Sequence, residues 1–346
     1  MSQSDNLESY PPFFRPNHDI DSSENACKTS VNSDSDSDCL PVIDFLCMNP
    51  ENLSQVCRDC GMFRLVNHGV PLNLLNQLQD HAKKLFSLTF EAKQDLFSSS
   101  SSSSSCCSPI AYFWGTPALT PSGDALKKGS GTQDHNWLEG LNVSLTQVSQ
   151  FQYEDPLLES FRSLLEEYGR QQCRVAKTLF STMAHDLKLC STKSQSYLSL
   201  PTGILRVYRY FRCMDSHKRW GIDVHTDSSV ISILHQDEVQ GLQVFKDNQW
   251  LDVKSIHNTL IVNVGDMAQA MSDDKYLSVK HRVKVNKEKE RISIGYFVFP
   301  ADDAVIECSK YKPFTYADFR TEVQKDLKTL GFKIGLQKFK STQENT

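Results

Sequence analysis

From residue 203 onward the chain consists of short apolar segments that follow one another at close spacing. The segments are "ILRVYRYF", "VISIL", "LQVF", "WLDV", "TLIVNVG", "HRVKV" and "RISIGYFVF". Polar stretches such as "KDNQ" and "NKEKER" separate them and are typical of turns. Many short strands joined by turns favour an all-β sandwich or barrel. This pattern constrains the fold more strongly than any other feature of the sequence.

The first half of the chain is dominated by helical periodicity. Residues 154–190 and the segment "LNLLNQLQDHAKKLFSL" repeat apolar side chains every three or four positions, which predicts two amphipathic helices. Short strands are expected in "LPVIDFL" and "GMFRLVNHGVP". The tail "TYADFRTEVQKDLKTLGFKIG" predicts a further helix that ends near Gly331. The predicted class is α+β, with helices first and a β core second.

Three regions are predicted along the chain. Residues 1–39 end in "SVNSDSDSDC" and cannot bury enough apolar surface to offset their ordering entropy, so we expect disorder. Residues 40–195 are expected to form the helical region, interrupted by a flexible serine-rich insertion at 98–105. Residues 196–340 are expected to form the β core.

Composition argues against several classes of protein. A net charge of −5 and a sequence pI near 6.1 disfavour a nucleic-acid partner, because binding phosphates requires clustered Lys and Arg. No apolar run approaches the roughly 18 residues of a membrane span, so no membrane partner is expected. The N-terminus resembles no secretory signal and the 11 cysteines are scattered. We therefore expect reduced thiols, a cytoplasmic location and a monomer.

The run "GIDVHTDSSV" places His225 and Asp227 two positions apart, where strand alternation would point both to one side. A lone H-x-D pair is typical of the polar face of an exposed strand, whereas a metal site requires a third ligand. His281, on a later predicted strand, can supply that ligand. Two imidazoles and one carboxylate are the facial triad of non-haem Fe(II) sites, which leaves positions open for a bidentate cosubstrate and O2.

A second pair follows His281. Arg291 and Ser293 alternate on one face of a predicted strand. A buried guanidinium is costly unless it is paired, and its fork of donors suits a carboxylate. An R-x-S pair alone indicates little, but behind H-x-D and a later histidine it predicts a receptor for the distal carboxylate of a 2-keto diacid.

The ordered set H-x-D, H and R-x-S, together with "FRLVNHGVP" and "TLIVNVGDMAQAMSDDKYLSVKHRV", resembles the plant soluble 2-oxoglutarate- and Fe(II)-dependent dioxygenases over residues 40–339. The resemblance implies a double-stranded β-helix (jelly-roll) core behind a helical N-terminal region. It implies O2 as a further substrate and ascorbate as the reductant. It also implies that iron is held by His225, Asp227 and His281, and 2-oxoglutarate by Arg291 and Ser293.

The family motif N-x-Y-P-x-C corresponds to "YRYFRC" at residues 208–213. Its tyrosine, which hydrogen-bonds the cosubstrate in the family, falls on Tyr210. The chain departs from the motif elsewhere, with Tyr208 in place of the asparagine and Phe211 and Arg212 in place of prolines. The C-terminal half is most similar to gibberellin 2-beta-dioxygenases of the C20 type and related gibberellin-oxidase-like enzymes.

The resemblance implies hydroxylation of an unactivated C–H bond, and the aromatic residues suggest a small hydrophobic substrate. Large apolar side chains in the Pro/Gly-rich stretch 109–123 have little structural reason to be in a loop. The candidate substrate-contacting residues are Tyr112, Phe113, Trp114 and Phe297. A gibberellin hydroxylated at carbon 2 is the first candidate substrate. A steroid, alkaloid or phenolic is the alternative substrate, and an inactive jelly-roll binding module is the alternative of another class.

Overall fold

The computed structural model describes residues 6–15, 38–99, 108–120, 125, 135–214, 216 and 219–341. The strands are β1 Val42–Asp44, β2 Met62–Val66, β3 Ile110–Trp114, β4 Leu138–Ser144, β5 Ser199–Tyr210, β6 Trp220–His225, β7 Ile231–Gln236, β8 Leu242–Lys246, β9 Gln249–Asp252, β10 Leu260–Val264, β11 His281–Lys284, β12 Arg291–Phe299, β13 Val305–Ile306 and β14 Phe314–Thr315. The α-helices are α1 Pro50–Asp59, α2 Leu72–Phe86, α3 Phe90–Ser99, α4 Leu145–Val148, α5 Pro156–Asp186, α6 Ser191–Tyr197, α7 Asp266–Met271 and α8 Tyr316–Thr329. Short 3-10 helices span Leu7–Ser9, Pro12–Phe14 and Gly335–Phe339.

Two sheets form the core. The major sheet has the strand order β1-β2-β10-β7-β12-β5-β4-β3, and the minor sheet has the order β6-β11-β8-β9. Neighbouring strands of both sheets pair antiparallel, except β1 with β2. Side chains of both sheets meet in one buried cluster that includes Leu138, Tyr210, Ile222 and Val283. The predicted jelly-roll core and α+β class are confirmed.

Helices cover the face of the major sheet that points away from the minor sheet. The longest, α5, begins at Pro156, and the Asp155 side chain caps it by accepting a hydrogen bond from the Leu158 amide at 2.8 Å. It contacts β5, β7 and β12. Because β12 is covered on both faces, its residues 291–296 are all buried. No helix in the described part of the chain combines the length and apolar character needed to cross a bilayer.

The region 40–195, predicted as helical with two short strands, contributes four strands to the major sheet. β1 and β2 lie at one edge, and β4 and β3 lie at the other. The stretch Ile110–Trp114, predicted as a loop, is strand β3, paired with β4 from Ile110↔Val143 to Trp114↔Glu139. Long-range pairing decides this stretch, since its turn-forming residues begin only at Gly115, whose φ is 77°.

The N-terminal prediction of disorder is wrong for residues 6–15. These residues form two turns of 3-10 helix, and the side chains of Tyr10 and Phe14 are buried. Both rings pack on Phe211, with ring centroids 4.5 and 4.8 Å away. The apolar motif "YPPFF" is therefore held by packing on Phe211. The low overall hydrophobicity of the N-terminal segment did not indicate this contact. Residues 1–5 and 16–37 lie outside the described residues.

The serine-rich insertion predicted at 98–105 begins inside a helix. Ser98 and Ser99 are the last residues of α3. The remaining serines of the insertion lie outside the described residues.

A buried ion network lies between the N-terminal segment and the major sheet. The Lys93 ammonium donates to both carboxylate oxygens of Glu139, at 2.6 and 2.8 Å, and to the Ser9 carbonyl. The Arg209 guanidinium donates to Glu139 and Glu290. Lys93 and Glu139 are fully buried, so their charges are compensated by each other rather than by water.

The C-terminal helix α8 forms as predicted. A capping box between Thr315 and Asp318 begins it. Gly331, with φ of 80°, follows it in the left-handed region that glycine adopts at helix ends. Residues 331–337 then line a cavity together with residues of α8.

Candidate metal centre and active site

The structure brings the three predicted metal ligands together at one end of the minor sheet. His225 is the last residue of β6 and His281 is the first residue of β11, and the two are directly paired across these strands. Asp227 lies two residues beyond the end of β6, in the turn before β7, rather than on the strand as predicted. Its Oδ1 is 3.8 Å from His225 Nε2 and 3.6 Å from His281 Nε2.

Local hydrogen bonds orient these side chains. His225 Nδ1 donates to the Asp223 carbonyl at 2.8 Å, and His281 Nδ1 donates to the Val279 carbonyl at 3.2 Å. A carbonyl can only accept, so each imidazole keeps Nε2 as a free lone-pair donor. Burial and, after it, the charge of the neighbouring His281 together lower the pKa of His225 to about 3, which keeps the imidazole neutral.

The carboxylate is oriented by a residue that the sequence analysis did not identify. Asn263 on β10 donates from Nδ2 to Asp227 Oδ2 at 2.8 Å, so that Oδ1 faces the histidines. The signal in the sequence was an amide inside the apolar run "TLIVNVG". Asn263 is buried, and a polar side chain inside a buried strand requires a polar partner.

This arrangement fits a first-row transition metal. Ligand atoms of His225, Asp227 and His281 lie within 4.8 Å of one another. Such ions bind imidazole nitrogen and carboxylate oxygen at about 2.0–2.2 Å, so ligands of one ion lie roughly 3–4 Å apart. Two nitrogens and one oxygen on one side leave the opposite side open. All three residues line a cavity of about 1450 Å³.

The predicted cosubstrate residues form a second group on the major sheet. Arg291 and Ser293 lie on β12, and Tyr210 lies opposite Arg291 on β5. Ser293 Oγ donates to the Tyr210 hydroxyl at 3.4 Å, and the guanidinium of Arg291 lies over the Tyr210 ring, 5.0 Å from its centroid. Burial raises the pKa of Tyr210 to about 12, which keeps the phenol protonated.

The Arg291 guanidinium is incompletely satisfied within the described residues. Its Nη2 donates to Gln236 Oε1 at 2.8 Å, but Nε and Nη1 are buried without a hydrogen-bond partner. Leaving charged donors buried and unpaired is costly. A bound carboxylate would satisfy them, so the residues present fit a keto diacid.

The cavity wall differs from the predicted substrate contacts. Phe297 lies in the wall, as predicted. Tyr112, Phe113 and Trp114 are not part of it, because β3 holds them against other groups: the Tyr112 hydroxyl donates to Glu139, Phe113 is buried between the sheets, and Trp114 packs on Phe14. Residues 116–120, which follow β3, line the cavity instead.

Two polar side chains of β5 also reach the cavity. Arg206 donates from Nη1 to the Pro117 carbonyl at 3.1 Å and to the Tyr208 hydroxyl at 3.3 Å. Position 208 carries a tyrosine where the family motif has an asparagine, so a phenol lies beside Arg206 in the cavity wall. The sequence signal for both residues was strand alternation. In "RVYRY", Arg206, Tyr208 and Tyr210 occupy every second position and so share one face of the strand.

The fold and the site together define a non-haem iron oxygenase that uses a keto acid cosubstrate. Two family models match the sequence: the 2OG-Fe(II) oxygenase superfamily over residues 201–300, and the non-haem dioxygenase in morphine synthesis N-terminal family over residues 40–150. The chain belongs to the 2-oxoglutarate- and Fe(II)-dependent oxygenase superfamily. The predicted enzyme class and the predicted cofactors, Fe(II) and 2-oxoglutarate, are confirmed.

Similar curated proteins come from plants. Gibberellin 2-beta-dioxygenase 8 of Arabidopsis thaliana is 33% identical over 84% of this chain and 80% of its own length. Gibberellin 2-beta-dioxygenase 6 of Oryza sativa subsp. japonica is 32% identical over 83% of this chain and 78% of its own length. Protein DMR6-LIKE OXYGENASE 2 of Arabidopsis thaliana is 30% identical over 82% of both chains.

Solved structures share the fold. The crystal structure of JOX2 in complex with 2OG, Fe and JA has a TM-score of 0.70 and 25% identity, covering 87% of this chain and 89% of the other. The dioxygenase for auxin oxidation in rice has a TM-score of 0.68 and 23% identity, covering 87% of this chain and 100% of the other. The similar proteins are therefore named for, or were solved with, different small molecules.

Proposed function

We propose that this dioxygenase hydroxylates an unactivated C–H bond of a small, largely apolar plant metabolite that carries a carboxylate. A gibberellin hydroxylated at carbon 2 is the first candidate. The observation that carries the proposal is Arg206, a guanidinium in the cavity wall that pairs with no carboxylate of the described residues.

In this proposal His225, Asp227 and His281 hold Fe(II), while Arg291, Ser293 and Tyr210 bind 2-oxoglutarate. When bound, these groups supply the oxidising chemistry, in which 2-oxoglutarate and O2 become succinate and CO2 and one oxygen atom enters the substrate. The protein contributes orientation. Asn263 holds the carboxylate of Asp227, and the Arg291 fork fixes the far end of the keto acid.

The polar groups around Arg206 leave part of it available. Nε faces Asn142 Oδ1 at 3.4 Å and Nη1 has two acceptors, whereas Nη2 has no acceptor among the described residues. The guanidinium also stacks over the Phe297 ring, 5.6 Å from its centroid. A half-buried cation with a free donor favours an anionic ligand, and its planar fork suits a carboxylate.

The apolar part of the wall supports a rigid hydrocarbon skeleton. It includes Leu119, Ile204, Phe297, Phe299, Phe319 and Leu336. A gibberellin is a compact polycyclic carboxylic acid, and the relatives named for gibberellins point to the same compound class. An alkaloid cation would be repelled by Arg206, and a steroid or simple phenolic would leave its donor unpaired. Of the predicted alternatives, the acid therefore fits best.

A substrate panel tests the proposal. Purified enzyme with Fe(II), ascorbate and 2-oxoglutarate is incubated with gibberellins, gibberellin methyl esters, steroids, phenolics and alkaloids, and products are measured by mass spectrometry beside succinate. We expect a singly hydroxylated gibberellin acid, with the methyl ester turned over at a KM at least about tenfold higher, the equivalent of one lost charge-assisted hydrogen bond. Preferred turnover of a steroid or an alkaloid would rule out the gibberellin assignment.

A pair of arginine variants isolates the proposed carboxylate contact. Arg206→Met should raise KM for the acid but not for its ester. Arg320→Met is the matched control, because Arg320 also lines the cavity but is already paired with Asp302 through two hydrogen bonds of 3.0 and 3.1 Å. Equal effects of Arg206→Met on acid and ester would show that Arg206 does not bind the carboxylate.

A further inference from the structure

Lys333 lies in the cavity wall, and its ammonium is fully hydrogen-bonded to the protein. Its Nζ donates to the Thr226 carbonyl at 2.6 Å, to Ser228 Oγ at 3.2 Å and to Asp266 Oδ2 at 2.7 Å. An ammonium has three donors, and all three are used. Unlike Arg206, Lys333 therefore has no donor left for a ligand, although it lines the same cavity.

Two of these acceptors flank the proposed metal ligand in the sequence. Thr226 and Ser228 are the neighbours of Asp227 on either side. Just after this turn the backbone packs closely on Gly265, where a Cβ would lie 2.0 Å from the Ser229 carbonyl oxygen. Lys333 thus holds both ends of the short turn that presents the Asp227 carboxylate.

The third acceptor, Asp266, connects the same turn to the segment that precedes His281. The Asp266 amide donates to the Asp227 carbonyl at 2.8 Å. Its other carboxylate oxygen, Oδ1, accepts from Ser278 Oγ at 2.8 Å, three residues before His281. The Lys333–Asp266 pair is nearly buried, with 11% and 5% of the side chains exposed. Breaking a pair of this kind leaves an uncompensated buried charge.

Lys333 reaches this position from the C-terminal part of the cavity wall. It follows α8 and the Gly331 turn, and residues 331–337 line the cavity with α8. This part of the cavity wall is thus tied to the turn that carries the proposed metal ligand Asp227. The tie is made by side-chain hydrogen bonds between residues about a hundred positions apart in the chain.

We propose that Lys333 is a positioning residue for the metal centre: paired with Asp266, it holds the Asp227 turn in the geometry that binds metal. The C-terminal wall depends on the same contact for its own position. This inference rests on the proposed metal ligands but not on the identity of the substrate. A structural role alone predicts lower stability, whereas a positioning role predicts weaker metal binding by protein that is still folded.

The test is a titration of folded apoprotein with Co(II), followed by its visible absorption, for wild type and variants. Lys333→Met should weaken metal binding about 10- to 100-fold, the usual effect of losing a group that orients a ligand. Lys338→Met is the matched control. Lys338 belongs to the same C-terminal segment but pairs with Glu322 and Asp326 of α8, and its loss should leave metal affinity unchanged.

Asp227→Ala is included so that two kinds of failure can be told apart. If Asp227→Ala still binds Co(II) as tightly as wild type, the proposed metal site is wrong. If Asp227→Ala loses metal and folded Lys333→Met retains wild-type affinity, the site stands and the positioning role of Lys333 is overturned.

A milder variant covers the case in which Lys333→Met does not fold. Asp266→Asn keeps the amide that bonds the Asp227 carbonyl and removes only the charge, so a smaller loss of metal affinity is expected. The double variant should bind metal no more weakly than Lys333→Met alone, because both changes break one contact. Unchanged affinity in Asp266→Asn, or fully additive losses in the double variant, would contradict the inference.

Discussion

Two buried arginines lie on neighbouring strands of the major sheet and differ in one respect. Arg209 on β5 is paired across the sheet with Ile292, and Arg291 on β12 is paired with Tyr210. Every guanidinium nitrogen of Arg209 donates to a protein acceptor. Two of the three nitrogens of Arg291 have no acceptor among the described residues.

The difference separates a guanidinium that is fully paired within the protein from one that is proposed to bind a ligand. Both side chains are nearly inaccessible, at 4% and 1% exposure, so both carry the cost of removing a charge from water. On the helix side the protein supplies Glu139 and Glu290 as counter-charges. On the cavity side it supplies only an amide, that of Gln236, and leaves Nε and Nη1 of Arg291 without acceptors among the described residues, which fits the proposed contact with the keto acid. Burial alone therefore does not distinguish the two arginines, whereas the missing acceptors of Arg291 do.

The largest effect is expected in the cavity, at the proposed metal ligand Asp227. Asp227→Ala should abolish Fe(II)-dependent succinate formation, because two imidazoles alone hold the metal weakly, while thermal unfolding changes little. Iron content and succinate yield are the measurements. Asp80→Ala, which removes an exposed carboxylate from α2, serves as the control and should behave as wild type. Retained turnover would remove Asp227 from the metal site.

The second-largest effect is expected in the ion network on the helix-covered face of the major sheet, which contains Arg209. Glu139→Gln leaves Lys93 and Arg209 without their shared counter-charge in a dry environment, so it should cost about 3–5 kcal/mol of the free energy of unfolding. Urea denaturation measures this. Glu167→Gln, which breaks the exposed pair with Arg170, should cost about 0–1 kcal/mol. Similar losses in the two variants would mean that the network is not truly desolvated.

Arg291→Lys should have a smaller effect, confined to the cosubstrate. A lysine keeps the charge but not the fork, so the KM for 2-oxoglutarate should rise about 10- to 100-fold, equivalent to one charge-assisted hydrogen bond of about 1.5–3 kcal/mol. The measurement is succinate formation against 2-oxoglutarate concentration. Arg170→Lys, at an exposed position of α5, should leave KM unchanged. A normal KM in Arg291→Lys would count against the carboxylate contact.

The smallest effect is expected at the N-terminal segment. The Tyr10 hydroxyl donates to Glu290 at 2.5 Å and completes the helix-side network. Tyr10→Phe should therefore lower the free energy of unfolding by about 1 kcal/mol while the KM for 2-oxoglutarate stays unchanged. Thermal denaturation and kinetics together check this. A variant as stable as wild type would show that the hydrogen bond from Tyr10 to Glu290 adds little to the fold.

The residues of the candidate site could be predicted from the sequence, because their chemical types follow one another in a recognisable order. His225, Asp227 and His281 were predicted as a triad because two imidazoles and a carboxylate are useful together to a metal that must keep open positions. Arg291 and Ser293 were predicted from strand alternation, and the structure places both beside Tyr210. The cadence of short strands predicted the β core, since alternation and turn residues act locally.

The sequence predictions that were wrong concern segments whose structure depends on distant parts of the chain. The stretch Ile110–Trp114 resembles a loop in composition, but pairing with β4 makes it a strand and turns its aromatics away from the cavity. Tyr10 and Phe14 lie near a low-complexity stretch, but Phe211 gives them a surface to pack on. Neither partner can be inferred from the residues nearby.

The sequence by itself determined the class of reaction, because the identity of the metal-binding and carboxylate-binding side chains carries that chemistry wherever the backbone brings them together. The tertiary structure decided which polar groups are satisfied and which are left open. Asn263 bonds the Asp227 carboxylate, Lys333 bonds both neighbours of Asp227, and Arg206 keeps a donor unpaired among the described residues of the cavity wall. The physical reason is that hydrogen-bond satisfaction is a property of neighbours in space, and these neighbours come from strands and helices far apart in the chain.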